Sequence, residues 1–540
     1  MSDYSLVVLF ILFFVVASIV ITWWTSRSTK STSDFYVAGK GVPWIQVGIA
    51  MVGSYLSAAS FLGCAGDIGV FGIDSIWLSI GFFGGYMAVL LLIAGPLRNV
   101  GSYTVADALY RRYPDNRIKL MVMICTLVIS TFYLVPQMLG AGLLFEMLLG
   151  WNFVGVTIGL GILMSIYIIF GGMKATLYNQ VIQALFLFLT MVVLTIMAFI
   201  IIGHGSISDI LAAAREAVPP ILAGKNAAVV EAIRNLPADQ AIATARQMMP
   251  SADSIMTIGV KTDNTLAQIS TVIALVFGTA GLPHILIMFY TVPSARAAKK
   301  SVTLCIVALG IFYLCAIILG FLLIPAIYPK IVSWIAEGPK GIGLAKNMSV
   351  LNISEYVGGK WLMAIGAAGA VAAVLSTSAG LMITTASTIS HDLYKVFINK
   401  NATERQELSI AKITTLVMSG IAVVLAVLLK DQNVAWLVTL AFGIAASAIF
   451  PAMMANLWWK RATRQGVIAS IATGLIVSVV FIYMLLSGHK TFLGLPTAGG
   501  PGVFGVTASF VALFVVSFLT KDYGENPEKF LALAHKADQD

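Results

Sequence analysis

The chain has 540 residues, of which 59% are hydrophobic and only 11% charged, and its mean hydropathy is +0.93. An ordinary soluble domain carries roughly 25% charge, so a water-soluble enzyme or nucleic-acid-binding domain is excluded and the net charge of +9 has to be read as membrane topology. Apolar runs of about 20 residues mean spanning helices, where a membrane β-barrel would show alternating segments of about ten.

The chain opens Met1-Ser2-Asp3-Tyr4 with no basic residue before an apolar run that reaches Trp24. That reads as a retained first transmembrane helix, since a signal peptide starts with positive charge and has a shorter apolar core. Thirteen spans are predicted, near 4–24, 43–70, 74–97, 118–149, 152–171, 178–203, 266–290, 301–328, 359–390, 408–429, 433–457, 465–487 and 502–520. Trp23, Trp24, Trp458 and Trp459 flank spans and suit interfacial belts. Cys64, Cys125, Cys305 and Cys315 fall inside apolar runs without metal-ligand spacing and read as small buried residues. Asp67 and Glu146 lie near span ends, where solvated positions are expected. The long connection 204–265 is expected to form amphipathic surface helices.

With an odd number of spans the termini lie on opposite sides, and the basic residues choose between them. An outside N-terminus and inside C-terminus place 22 of the 33 lysines and arginines in inside connections, Arg98, Arg111, Arg112, Arg117 and Lys119 among them.

Two spans are interrupted at mid-depth. The second reads Gly48-Ile49-Ala50-Met51-Val52-Gly53-Ser54-Tyr55-Leu56-Ser57-Ala58-Ala59-Ser60, and the seventh contains Gly278-Thr279-Ala280-Gly281-Leu282-Pro283-His284. Glycine and proline favour unwinding there. A single glycine-rich span equally suits close helix packing. Two of them, five spans apart, mark two five-helix units of opposite topology, each beginning with a broken helix. Paired interruptions point to the midplane site of a secondary transporter. The chain then divides into 1–42 (first helix and cytoplasmic linker), 43–203 (first inverted repeat, spans 2–6), 204–265 (long extracytoplasmic loop), 266–457 (second repeat, spans 7–11), 458–520 (spans 12 and 13) and 521–540 (cytoplasmic tail).

The ninth span supplies matching chemistry in Ala372-Ala373-Val374-Leu375-Ser376-Thr377-Ser378-Ala379-Gly380. The Ala373 carbonyl and the Ser376 and Thr377 hydroxyls fall within one helical turn, a donor set for a hard monovalent cation. The alternative is that these hydroxyls bond back to their own helix.

The broken spans contain no Lys or Arg, so a bound anion needs another source of positive potential. The N–H groups of Ser57, Ala58, Ala59 and Ser60 open the second half of span 2 and carry the positive end of its dipole. Gln137, Thr279 and His284 offer further donors. Tyr55 and Tyr290 read as gates or as packing aromatics.

The stretch ending Ser387-Thr388-Ile389-Ser390-His391-Asp392-Leu393-Tyr394, with Gly171-Gly172-Met173-Lys174-Ala175-Thr176, resembles the sodium/solute symporter family. Tyr55–Gly63, Gln137–Gly142 and Gly278–His284 resemble its acetate permease and monocarboxylate branch. The resemblance implies a leucine-transporter-like all-α fold of five plus five inverted helices with three extra spans. It also implies sodium-coupled uptake by alternating access, with no cofactor beyond the coupling ion. Carried onto this chain, the family's sodium site falls on the carbonyls of Gly53, Leu56 and Ala373 and the hydroxyls of Ser376 and Thr377. Solute is expected beside the breaks, at Tyr55, Ser57, Ala58, Ser60, Gln137, Thr279 and His284. Ser54 stands where the branch commonly has Asp, and Met288 where it has Arg; Gln180 stands where other branches carry an Asp linked to extra cation coupling. One sodium is therefore expected.

The partners expected are a sodium ion, a short monocarboxylate such as acetate, and membrane lipid, with no nucleic acid. Another small solute (an amino acid or neutral metabolite) and a transporter-like sensor are the alternatives. No cluster of nucleophile, base and metal ligands marks an enzyme.

Overall fold

In this computed structural model, residues 5–217, 264–336, 339–430 and 434–537 are described, apart from 28, 30, 490, 493 and 498. Nearly everything in them is helix; one ribbon pairs Thr491–Phe492 with Leu495–Pro496. Along the chain lie α1 (Ser5–Ser26), α2 (Thr32–Val37), α3 (Trp44–Tyr55), α4 (Cys64–Phe71), α5 (Ile76–Ala88), α6 (Ala94–Val100), α7 (Val105–Tyr110), α8 (Asn116–Leu149), α9 (Phe153–Ile201) and α10 (Ile207–Ala217). After 218–263, outside the described residues, come α11 (Thr265–Thr279), α12 (Pro283–Leu286), α13 (Ala295–Ala336), α14 (Pro339–Ser387), α15 (Glu404–Leu428), α16 (Val434–Ala448), α17 (Phe450–Trp458), α18 (Arg464–Leu486), α19 (Gly502–Leu519) and α20 (Pro527–Ala534). Of the surface helices expected in 204–265, α10 is the one within the described residues.

Among the described residues, 11 helical stretches are long and apolar enough to cross a membrane, or up to 12 if the pair Thr32–Lys40 and Trp44–Tyr55, bent by 110°, counts as one. Three of these stretches are too long for a single straight crossing: Ala59–Val100, Phe153–Ile201 and Gly343–Ile398. Phe153–Ile201 has 49 residues, or about 74 Å at the helical rise, against a hydrocarbon core of about 30 Å. It is interrupted at Gly172 (φ 56°, ψ −151°). Ala59–Val100 is likewise interrupted at Gly72 (φ 65°, ψ −145°), and the 56-residue stretch Gly343–Ile398 at Gly359 (φ 63°, ψ −163°). An L side chain rarely adopts that backbone conformation, so glycine is required at all three points. At Gly172 a Cβ would also meet the backbone of Phe35 at 3.0 Å.

Burial sorts the helices into centre and rim. In the span that contains α14, 94% of the most apolar window is buried, against 28% in α1, so α14 is a central column and α1 faces lipid. α9 packs on α14, α3 and α1, while α16 lies between α8 and α11. Gly278 and Gly281 in α11 and the turn after it sit directly against the α16 backbone, where a Cβ at either would run into Phe442 or Ala445. Small residues thus serve close packing there as well as the break.

Several expectations meet the structure here. Trp23, Trp24 and Trp458 are exposed and Trp459 is half-buried. Cys64, Cys125 and Cys305 are buried and Cys315 half-buried. Asp67 is not solvated: it is buried, and its carboxylate pairs with Lys346 at 2.9 Å. That burial follows from Gly66, which lets α4 lie directly against the Lys346 backbone. Glu146 pairs with Lys430 at 2.7 Å, and both remain partly exposed.

Candidate cation and solute site

The break in the first repeat begins at Leu56. It turns out of the helix (φ −69°, ψ 97°) while its N–H still donates to Val52 O at 2.8 Å. Bonding resumes at Ser60 and Phe61, whose N–H groups both donate to Ser57 O at 3.0 Å, and the chain enters a π turn over Ala59–Gly63. The Ser60 N–H is therefore committed to the protein, which corrects the expectation that it is free. In the second repeat α11 stops at Thr279. Leu282 is extended (φ −72°, ψ 115°), and Pro283 starts α12, where its missing donor costs nothing.

Opposite the first break, α14 passes unbroken. Thr384, Thr385 and Ser390 donate to carbonyls one turn back in their own helix, and Ser387 does so to Thr384 O. Ser376, Thr377 and Ser378 behave differently. Their hydroxyls are buried and have no hydrogen-bond partner among the described residues. Each such orphan costs about 1–3 kcal/mol, a penalty that a bound ligand removes. Back-bonding therefore explains the lower part of this polar run and not the part at Ser376–Ser378.

Gly53 is what lets the two elements meet. An ideal Cβ at Gly53 would lie 2.9 Å from Ser376 Oγ and 2.5 Å from Gln180 O. Gln180 donates its Nε2 to Ser376 O at 3.1 Å, tying α9 to the same point. Leu56, Ala373 and Thr377 are buried on the same two elements.

The expected solute residues divide into committed and uncommitted groups. Tyr55 OH lies 2.8 Å from Thr279 Oγ1 and donates to Phe82 O at 2.9 Å; Thr279 Oγ1 also bonds to Leu275 O at 2.8 Å. Ser60 Oγ is 3.1 Å from Tyr313 OH. These three join helices to one another. Ala58 packs beside Gly140, and Ser57 beside the Tyr133 hydroxyl. Gln137 and His284 are buried with no partner on either polar side-chain atom among the described residues, so His284 does not cap unwound backbone. Its ring stacks edgewise on Tyr133 at 5.5 Å. Tyr290 is buried with its hydroxyl unpartnered among the described residues, packed where Gly101 leaves room for its ring.

Sequence reasoning missed Gly380. Its ideal Cβ would lie 2.9 Å from Ser54 Oγ, 3.2 Å from Gln180 Nε2 and 3.7 Å from His284 Cδ2. Ser54 Oγ and Gln180 Oε1 are unpartnered as well. The available signal was a glycine closing the hydroxyl run Ser376–Gly380; it gains meaning only once α3, α9 and α12 are seen to converge on it.

A second polar cluster lies at the end of α14. Asp107, His391 and Asp392 place ligand-type atoms within 4.8 Å of one another. The Lys119 ammonium occupies that space, 2.9 Å from Asp107 and 3.6 Å from Asp392, so the arrangement is an ion-pair network.

Two broken helices beside a hydroxyl-bearing helix that runs without interruption over 360–387 define a membrane carrier. A model of the sodium:solute symporter family matches residues 35–474, and the chain belongs to that family. It is 34% identical over 539 residues to the uncharacterized symporter YwcA of Bacillus subtilis (strain 168), covering 98% of this chain and 97% of that one. Its fold is similar to that of a Na+-coupled sialic acid symporter solved in a substrate-bound outward-open state, with a TM-score of 0.71 at 15% identity over 95% of this chain and 98% of that one. It is also similar to Mhp1, a nucleobase-cation-symport-1 family transporter solved closed around bromovinylhydantoin, with a TM-score of 0.50 at 13% identity over 94% and 100% of the two chains. The protein is thus a multi-pass sodium-coupled symporter of the cell membrane with a leucine-transporter-like fold, and not an enzyme.

Proposed function

We propose that the protein imports a short monocarboxylate, acetate or a close homologue, together with one sodium ion. The ion is held by the carbonyls of Gly53, Leu56 and Ala373 and the hydroxyls of Ser376 and Thr377. The observation that carries this reading is the pairing of a helix break at Leu56 with buried, unpartnered hydroxyls at Ser376 and Thr377, brought together through Gly53. A sodium ion removes the orphaned-oxygen penalty at the hydroxyls and adds a full positive charge beside the start of the π turn. The anion then finds its counter-charge without a lysine or arginine, and each ligand lowers the cost of burying the other. Gln137 and His284, uncommitted within the protein, supply the polar contacts, with the break at Ser57 and Ala58 behind them. Tyr55, Ser60 and Thr279 line the same region and hold its walls.

We read thirteen spans by dividing Ala59–Val100 at Gly72 and Phe153–Ile201 at Gly172 and counting Gly343–Ile398 as one crossing, and the distribution of basic residues supports an outside N-terminus and a cytoplasmic C-terminus. Proteoliposome uptake of labelled acetate, propionate, pyruvate and a neutral amino acid, with and without an inward sodium gradient, tests the reading. Sodium-driven accumulation of a monocarboxylate is expected; accumulation of the amino acid alone overturns the solute assignment.

A further inference from the structure

Away from the central site, a basin of about 390 Å³ opens between α6, the first turns of α13, the end of α17 and the segment that follows α20. Part of its lining is basic. Arg296, Lys299 and Lys300 come from α13 and Lys536 from the C-terminal segment, and all four residues are exposed. Leu91 and Trp458, also exposed, supply an apolar part. No aspartate or glutamate lines the basin among the described residues.

Specific contacts hold this lining in place. Arg98 of α6 donates to Val292 O at 2.6 Å and to Pro293 O at 2.9 Å, which fixes the turn leading into α13. An ideal Cβ at Gly95 would lie 2.7 Å from Lys299 Cε, so the stem of that lysine lies across bare α6 backbone. The Lys300 ammonium stands 5.9 Å from the Trp44 ring. Asn99 donates to Ala534 O at 3.1 Å and to Lys536 O at 3.0 Å, and His535 Nε2 donates to Leu457 O at 2.8 Å. These bonds keep Lys536 at the edge of the basin. Trp458 Nε1 donates to Leu92 O at 2.7 Å, and its ring lies 4.3 Å from that of His535. Glu528 of α20 is engaged by Lys460.

Four cations around one basin repel one another, and the start of α13 adds the positive end of its dipole. The set disfavours sodium and favours an anion. Its apolar part says which kind. Leu91 belongs to the spanning stretch Ala59–Val100, so its exposed side chain meets acyl chains. Trp458 closes α17, a position suited to the headgroup boundary. An occupant that fits the whole lining therefore touches hydrocarbon at one edge and ammonium and guanidinium groups at another. A soluble phosphate would leave Leu91 and Trp458 unmatched.

We propose that this basin binds the headgroup of an anionic phospholipid, its phosphodiester held by Arg296, Lys299, Lys300 and Lys536 and its acyl chains lying along Leu91. The bound lipid bridges the start of α13 and the C-terminal segment. Basic pockets between spanning helices hold such headgroups on the cytoplasmic side, and the orientation proposed above puts the basin there. The binding chemistry itself depends on neither the orientation nor the solute.

Lipid titration of the purified, delipidated full-length protein in detergent, read by native mass spectrometry and by melting temperature, tests the proposal. Phosphatidylglycerol and cardiolipin are expected to bind and to raise the melting temperature. Phosphatidylcholine, inorganic phosphate and acetate at equal concentration are expected to do neither. Lys299→Gln with Lys300→Gln should weaken binding of the anionic lipids by about thirtyfold. Lys299→Arg with Lys300→Arg should retain it. Lys400→Gln with Arg405→Gln removes the same charge from exposed positions in the connection before α15 and should bind as wild type. Equal losses in the two double glutamine variants would mean diffuse surface attraction and overturn the site. Equal stabilisation by inorganic phosphate or acetate would overturn the lipid assignment. No sodium gradient enters the titration, so its outcome stands whether or not the carrier moves acetate.

Discussion

The hydroxyl oxygens of Tyr55 and Thr279 lie 2.8 Å apart and join the breaks of two helices whose contacting residues are 224 positions apart in the chain. Tyr55 holds a third element through Phe82 O on α5. The contact therefore ties the pivot of one repeat to that of the other at the depth where both backbones are irregular. Its loss is expected to change how the breaks move together more than how sodium binds. Tyr55→Phe removes the shared hydroxyl and keeps the ring, at a net cost of about 1 kcal/mol for a typical hydrogen bond. The initial rate of sodium-driven uptake should fall by about fivefold, with half-saturation for sodium nearly unchanged. Thr279→Ser should behave as wild type and Thr279→Val as Tyr55→Phe. A large loss of sodium affinity in Tyr55→Phe would place Tyr55 in the ion site instead.

Ser376 and Thr377 are expected to act on the ion. Ser376→Ala and Thr377→Ala each remove one oxygen from a set in which carbonyls supply the remainder. Half-saturation by sodium should rise by about tenfold or more in each, while Thr377→Ser and Ser378→Ala stay near wild type. Sodium titration of uptake, or of sodium-induced thermal stabilisation in detergent, reads the shift. An unchanged sodium dependence in both alanine variants would falsify the ion-site assignment.

How much of this was legible beforehand depends on whether the signal was local. The broken helices were legible because Gly53-Ser54 and Gly281-Leu282-Pro283 interrupt otherwise continuous apolar runs, and polarity at mid-depth is expensive unless it lines a site. The hydroxyls of Ser376 and Thr377 were visible, but their separation from Thr384 and Thr385 was not. Both pairs sit in the same kind of sequence, and only the upper pair has lost its back-bonds. Gly380 was opaque because its meaning lies in which helices converge on it, and Gln180, noted as standing where other branches carry an Asp, gave no sign that it would tie α9 to Ser376. Asp67 was misjudged for the same reason: its partner Lys346 lies 279 positions away, on the segment before the break at Gly359.

That pair leads to a test of non-additivity. Asp67 and Lys346 are both largely buried and pair at 2.9 Å, with the ammonium 4.5 Å over the Phe71 ring. Removing one member of a buried pair leaves the other charge unpaired, at a cost of about 3 kcal/mol or more. Asp67→Asn and Lys346→Met should each lower thermal stability markedly. The double variant should be more stable than the sum of the two losses implies, because neither residual charge remains. Additive losses would show that Lys346 is anchored chiefly by its other contacts.

Arg112 offers the strongest purely structural prediction. It is fully buried, and its guanidinium is aimed at the end of α17. Nη1 donates to Ala455 O at 3.1 Å and Asn456 O at 2.9 Å, and Nη2 to Trp459 O at 3.0 Å and Lys460 O at 2.9 Å. The last carbonyls of a helix have no partners of their own and carry the negative end of its dipole, so a cation there acts twice. The Arg112 carbonyl in turn accepts from the Glu525 N–H at 2.8 Å, docking the C-terminal segment onto the same corner. Arg112→Ala strips four carbonyls at once and should cost about 3 kcal/mol, read as a lower melting temperature of the full-length protein in detergent. Arg112→Lys keeps the charge but loses the planar fork that reaches both pairs of carbonyls, and should recover only part of that loss. Melting of Arg112→Ala at the wild-type temperature would mean that water or lipid headgroups replace the guanidinium without penalty, and that the corner holds through α17 packing alone.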